Sequence, residues 1–314
     1  MNLNYNNNIV LHVGFSKTGT TTLQRHLFKN HSQIRYLGKP YPDETLQALV
    51  HRLIMQESLV YRASAVKEYM ENTLFDKPGD PGKTVVLSDE MLVSYSKARD
   101  KGLVARRLKE VFPAAKILFT IRNQFDILTA AYLSRGRLLT YVPKKYSGLH
   151  VSFDDWLELS LENIERSYLG HIDYIKTVDY YADLFGKENV SVLLLEEFVN
   201  HRKTYMEKLA AVLNIDIEEC LKLTEDKHEH KEISQSQLNF ERFRTRLYPL
   251  SRVPLVFGIV KPFFSLRGLF RKEKTAMAIV SEKWRQRLGP MYREGNRKLV
   301  DFYGLPLGKF GYPL

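Results

Sequence analysis

One segment, Ile9 to Leu23 (IVLHVGFSKTGTTTL), restricts the folds open to this chain more than any other. Four of its first five residues are apolar, and Gly14 ends the run. An apolar run closed by a turn signal suits a buried strand of a parallel sheet. Ser16, Lys17, Thr18 and Gly19 follow, then Thr20, Thr21 and Thr22, and then Leu23, Leu27 and Phe28 at helical spacing. A strand, a tight loop and a helix N-terminus together make an anion site. The first helical N–H groups have no partner inside the helix, and the helix dipole favours negative charge there. Gly19 allows close approach of the backbone, Lys17 brings a positive charge, and the threonine hydroxyls add donors. The plain alternative is a strand-to-helix turn that happens to contain Lys and Gly.

The loop is not a Walker A loop. Gly14 and Gly19 have that spacing, but Thr20 stands where the pattern needs Lys, and the lysine lies two residues before Gly19. A second apolar run, Thr84 to Leu87, ends in Ser88-Asp89-Glu90. Polar residues at the C-terminal end of a parallel strand stand where open α/β sheets place their ligands, so Glu90 is a candidate for chemistry. Equally, Ser88 or Asp89 caps a following helix and Glu90 is its first-turn acid. A third run, Lys116 to Ile121, leads straight into Arg122-Asn123-Gln124-Phe125-Asp126, and Phe125, Leu128, Tyr132 and Leu133 repeat at helical spacing. Val190 to Leu195 is a fourth, followed by Glu196 and Glu197.

Lys-Thr-Gly-Thr-Thr at 17–21 resembles the 5′-phosphosulfate loop of sulfotransferases, enzymes that use 3′-phosphoadenosine 5′-phosphosulfate (PAPS). That family also carries Arg-Asn-Pro-x-Asp-x-x-x-Ser-x-Tyr after a strand. The chain matches it at Arg122, Asn123, Asp126 and Tyr132 and departs at Gln124 and Ala130, the latter in place of a phosphate-binding Ser. The resemblance implies an α/β fold of three layers around a central parallel sheet, the P-loop NTPase-like sulfotransferase fold. It implies that Ser16, Lys17, Thr18, Gly19, Thr20, Thr21 and Thr22 hold the 5′-phosphosulfate. Arg122 would hold the 3′-phosphate, with Thr129 or Ser134 standing in for the missing Ser. Lys17 would neutralise the leaving oxygen and Glu90 would act as base. PAPS would be the co-substrate and adenosine 3′,5′-bisphosphate (PAP) the product, with no metal. The acceptor would be a small molecule, a glycan or a glycolipid, and nucleic acid is not expected. Two other readings stay open here: a P-loop nucleotide kinase, and a non-catalytic polyanion-binding protein.

At 314 residues the chain suits one domain, 1–314, with a helical insertion at 31–83 between the first two strands. The single cysteine, Cys220, excludes an internal disulfide framework. The N-terminus lacks the charged and apolar regions of a signal peptide, and no apolar run reaches the roughly 18 residues of a membrane span, so a cytoplasmic protein is expected. The net charge of +11 resides in a basic C-terminal segment, 241–298, with 15 Lys and Arg against 4 acids; the remainder is balanced. That asymmetry points to an anionic partner, or to a solvated face. Residues 249–274 read either as a peripheral membrane contact or as a buried apolar arm. His228 and His230 read as surface loop, and Ser234 and Ser236 as loose candidates to close over the 3′-phosphate.

Overall fold

The computed structural model describes residues 8–69, 82–93, 100–134, 151–225 and 278–314. The four apolar runs read from the sequence are strands: β1 (Ile9–His12), β3 (Thr84–Ser88), β4 (Lys116–Ile121) and β5 (Val190–Leu194). A fifth strand, β2 (Ile34–Tyr36), completes the sheet, whose order is β2-β3-β1-β4-β5. Every pairing is parallel. The stretch 31–83 is therefore not only helical, because β2 pairs with β3 from within it. Three residues are too few to show a period of two, and that is why helix is the natural reading there.

The helices, in chain order, are α1 (Thr20–Thr22), continued as a wider π-helical segment over Leu23–Phe28, α2 (Glu44–Met55), α3 (Ala63–Tyr69), α4 (Lys101–Val111) and α5 (Gln124–Ser134). After these come α6 (Phe153–Leu161), α7 (Tyr168–His171), α8 (Tyr174–Phe185), α9 (Leu195–Asn200), α10 (Arg202–Leu213), α11 (Ile217–Thr224) and α12 (Glu282–Tyr303). Their starts follow capping chemistry. Asp43 accepts the N–H of Leu46 at the head of α2, and Asp100 accepts those of Gly102 and Leu103 at the head of α4.

The described residues form two compact units. The first holds those up to Asn123, 173–225 and 289–314, and includes the whole sheet. The strand register sorts its core. Val10, Val86, Leu118 and Leu193 share one face of the sheet and pack under Leu27 and Phe28, Phe198 of α9, and Met206 and Leu209 of α10. On the other face α8 lies on β4 and β5, with α4 beside it, and Phe119 meets the rings of Phe15 and Tyr181. Helices on both faces of a parallel sheet make the three layers. Each fully buried Leu or Phe contributes about 1.5–3 kcal/mol.

The second unit holds residues 124–134, 151–172 and 278–288. Its core is aromatic: Trp156 is fully buried and packs against Tyr132, Phe153 and Tyr168. The Trp284 indole N–H donates to Asp154 Oδ1 at 2.6 Å. Among the described residues no helix is long and apolar enough to cross a membrane. Residues 249–274, His228, His230, Ser234, Ser236 and most of the basic segment lie outside the described residues.

Candidate active site at the C-terminal edge of the sheet

The connections after β1 and β4 run to opposite sides of the sheet, so the crevice between the ends of these two strands is its topological switch point. Val13 N–H still donates to Leu118 O at 3.0 Å, and Phe15 N–H to Thr120 O at 3.4 Å, which carries the strand pairing up to the loop. The chain then turns sharply. Lys17 has φ 70° and Gly19 φ 81°, both left-handed. Such a conformation is ordinary for Gly and costly for Lys, and this lysine is exposed. The turn lifts Lys17 into solvent and starts α1, where Gly19 gives no side-chain cap.

The threonines divide. Thr21 is exposed. Thr18 is buried, donates to Phe15 O at 2.5 Å and pairs with Thr120 Oγ1 at 2.8 Å. The Thr20 hydroxyl also turns inward, to Phe15 O at 3.4 Å, and Thr22 is buried. Ser16 is half-buried. These side chains build the loop, and its outward donors are backbone N–H groups, Thr21 and Lys17.

A polar row lies directly beneath. On one sheet face each of the three central strands changes from apolar to polar at its last inward position: Val10 then His12, Val86 then Ser88, Leu118 then Thr120. His12 Nδ1 and Ser88 Oγ are 2.7 Å apart, and His12 Nε2 and Thr120 Oγ1 are 3.4 Å apart. Gln24, one turn into the helix, donates to Ser88 Oγ at 3.1 Å. A continuous set of hydrogen bonds thus ties β3, β1 and β4 to both ends of the loop. Burial pushes the His12 imidazole down to a pKa of about 3, so it stays neutral. The recurrence of apolar-x-polar at three strand ends was the signal in the sequence that marks this row.

Arg122 leaves β4 beside the loop, with Nη1 3.5 Å from Lys17 O. Its backbone is fastened on several sides. Tyr174 OH donates to Arg122 O at 2.6 Å, and Asn123 N–H donates to Glu196 Oε1 at 2.8 Å. Asn123 Nδ2 donates to Phe310 O at 3.0 Å, and Tyr312 OH to Glu196 Oε2 at 3.0 Å. Burial raises the Glu196 carboxyl pKa, opposed by these donors and by Arg122. Glu196 was legible as a strand-end acid, but its grip on the Arg122–Asn123 turn was not.

Glu90 sits at the end of β3, next to β1. Asp89 caps the short turn Glu90–Leu92 by accepting Met91 N–H at 2.8 Å, so Glu90 is a first-turn acid. It also meets Lys39, whose Nζ is 3.3 Å from Glu90 Oε1 and 2.6 Å from Asp89 Oδ1. The Tyr41 hydroxyl donates to Asp89 Oδ2. Burial raises the Asp89 pKa, and Lys39 and Tyr41 work against that. Neither Lys39 nor Tyr41 stands out in the sequence, since both reach β3 only through β2. Thr129 belongs to the second unit, where its hydroxyl donates to Asp126 O at 2.8 Å. The structure thus brings Lys17 and Arg122 together across β1 and β4, and groups Glu90 with Lys39 on β3.

No family model matches the sequence, and no curated protein matches it. Solved structures do resemble it. A sulfotransferase from Alicyclobacillus acidocaldarius aligns over 97% of this chain and 98% of its own, with 18% identity and a TM-score of 0.54. The chain has the sulfotransferase fold. A mouse sulfotransferase, SULT7A1, complexed with PAP aligns over 70% of this chain and 63% of its own at 16% identity and a TM-score of 0.39. The sulfotransferase domain of the curacin biosynthetic pathway aligns over 71% and 79% at 16% identity and 0.39. The P-loop-like α/β architecture expected from the sequence is the one observed.

Proposed function

We propose that this chain is a cytoplasmic enzyme that transfers a sulfonate group from PAPS to a hydroxyl or amine of a carbohydrate or glycolipid acceptor. The observation that carries this is the meeting of the Lys17 loop and Arg122 at the switch point of a sulfotransferase fold, 3.5 Å apart. The residues suit a doubly phosphorylated donor. Exposed Lys17, the uncapped helix start and Thr21 address the 5′ end. The guanidinium of Arg122 grips the 3′-phosphate with its planar fork.

The reaction needs an acceptor oxygen or nitrogen to form a bond to sulfur as the bond from sulfur to the bridging phosphate oxygen breaks. The electron pair of that bond leaves with PAP. Lys17 neutralises the charge that builds on the bridging oxygen, assisted by helix N–H groups. Glu90 takes the acceptor's proton, and Lys39 holds its carboxylate in place.

The test is PAP release from PAPS, followed by chromatography with an alkyl glycoside as acceptor. Wild type releases PAP, and Lys17→Ala lowers kcat by about 10²–10³ while PAP affinity stays within about threefold. No PAP release, with magnesium-dependent ATP consumption instead, overturns the proposal.

A further inference from the structure

A cavity of about 590 Å³ opens beside the end of β3. Lys39, Tyr41, Asp89 and Met91 line it, and α2 makes one wall. Glu44, Gln47, Ala48, His51, Arg52 and Met55 reach it at spacings of three and four, so one complete exposed stripe of that helix faces the space. The buried stripe of the same helix, with Leu46, Leu49, Val50 and Leu53, is spent on the core.

The lining has a definite chemistry. Lys39 and Arg52 are matched by Glu44 and Asp89, and Lys39 is already paired with Asp89 at 2.6 Å. A polyanion therefore meets no excess of positive charge here. Carboxylates, an amide, an imidazole and a guanidinium present both donors and acceptors, which is what hydroxyl groups require. Tyr41 adds a ring, and Ile54, Met55 and Met91 add apolar surface.

Past Met55 the chain carries further exposed apolar residues. Met55 is 38% exposed, and the turn after α2 carries Leu59 at 79% and Val60 at 56%. These are three of the seven large apolar side chains most exposed among the described residues, and they fall within six residues. Scattered exposed apolar residues need no explanation, but a cluster marks a contact surface. Contacts on either side anchor the turn. Buried Arg107 donates to Leu53 O at 3.0 Å and to Gln56 O at 2.7 Å, and its guanidinium stacks 4.1 Å from the ring of Tyr61. A pinned apolar turn is preorganised for a ligand.

We infer that this cavity is the acceptor site, and that its ligand is an uncharged amphiphile. A hydroxyl-bearing head sits against Lys39, Tyr41 and Asp89, and an alkyl chain passes Met55 onto Leu59 and Val60. The inference rests on the proposed sulfonate transfer and narrows its acceptor. Lys39 lines the cavity and also meets Glu90 at 3.3 Å, and so links the head to the base.

The test is calorimetric titration with octyl β-D-glucoside below its micelle concentration, glucose, octyl sulfate and a heparin fragment, with PAP titrated separately. Octyl glucoside binds at least tenfold more tightly than glucose and than either anion. Ala48→Trp fills the cavity from an exposed position and removes octyl glucoside binding, with PAP affinity unchanged. Leu59→Ser with Val60→Ser brings octyl glucoside down to the level of glucose. Absence of octyl glucoside binding, preference for either anion, or binding untouched by Ala48→Trp overturns the inference. Loss of PAP binding in wild type with octyl glucoside still bound overturns the sulfonate-transfer proposal instead.

Discussion

The Glu196 carboxylate accepts the backbone N–H of Asn123 at 2.8 Å and so stands directly behind Arg122. The acid therefore has two opposed effects on an anion held by Arg122: it fixes the turn, and it adds a negative charge nearby. The two separate by substitution. Glu196→Ala leaves the Asn123 N–H without its acceptor, at a cost of about 1–3 kcal/mol in stability, and weakens PAP binding about tenfold. Glu196→Gln keeps an acceptor and removes the charge, so PAP binds as tightly as in wild type or more so. Titration of both variants checks this, and equal losses in the two contradict it.

Lys17 holds a left-handed backbone at φ 70°. Removing its Cβ relieves about 1–2 kcal/mol, and the greater freedom of an unfolded Gly offsets about 0.5–1 kcal/mol of that. Lys17→Gly should therefore unfold at a higher urea concentration than Lys17→Ala, although both lose turnover. A less stable Gly variant would contradict the strained-loop account.

His12 is buried and neutral, with its pKa pushed down to about 3. The unfolded chain takes up a proton on this residue near pH 6.5 and the folded chain does not. Its contribution to stability is therefore complete above pH 6.5 and is lost as pH falls from there toward about 3. Over that window the slope is about 1.4 kcal/mol per pH unit. Urea unfolding of wild type and His12→Asn between pH 7.5 and 4.5 measures it. The variant is less stable at pH 7.5, and its stability falls less steeply with acid.

Gly14 lies where a Cβ would come within 2.5 Å of Thr120 Oγ1 and 2.9 Å of His12 Nε2. Gly14→Ala overpacks the polar row and destabilises by about 1–3 kcal/mol. Thr18→Ala makes no such clash but removes a hydroxyl bonded at 2.5 Å to Phe15 O and at 2.8 Å to Thr120. It should loosen the loop and raise the Kd for PAP about five- to tenfold. Unchanged PAP affinity would show that the row supports the fold alone.

The strands that carry the site were legible because each is a short apolar run with an abrupt end: Gly14 after β1, Ser88 at the end of β3, Arg122 after β4. The loop was legible from its Lys and Gly placement, and the fold followed from the two motifs together. What stayed hidden depends on contacts across long separations. Glu196 and Asn123 are 73 residues apart, and His12 and Thr120 are 108 apart. Lys39 comes to Glu90 only because β2, three residues long, pairs beside β3. The inward turn of Thr18 and Thr20 follows from the left-handed residues at 17 and 19, and a motif does not say which of its hydroxyls point out.

Whether Lys17 and Arg122 form one donor site is decided by calorimetric titration with PAP in EDTA, on wild type and Arg122→Ala. Wild type should bind PAP without metal, and the variant should lose about 10–100-fold in affinity, the range of a charge-assisted contact of about 1.5–3 kcal/mol. Absence of PAP binding by the wild type, or equal affinity in the two proteins, would contradict a single donor site.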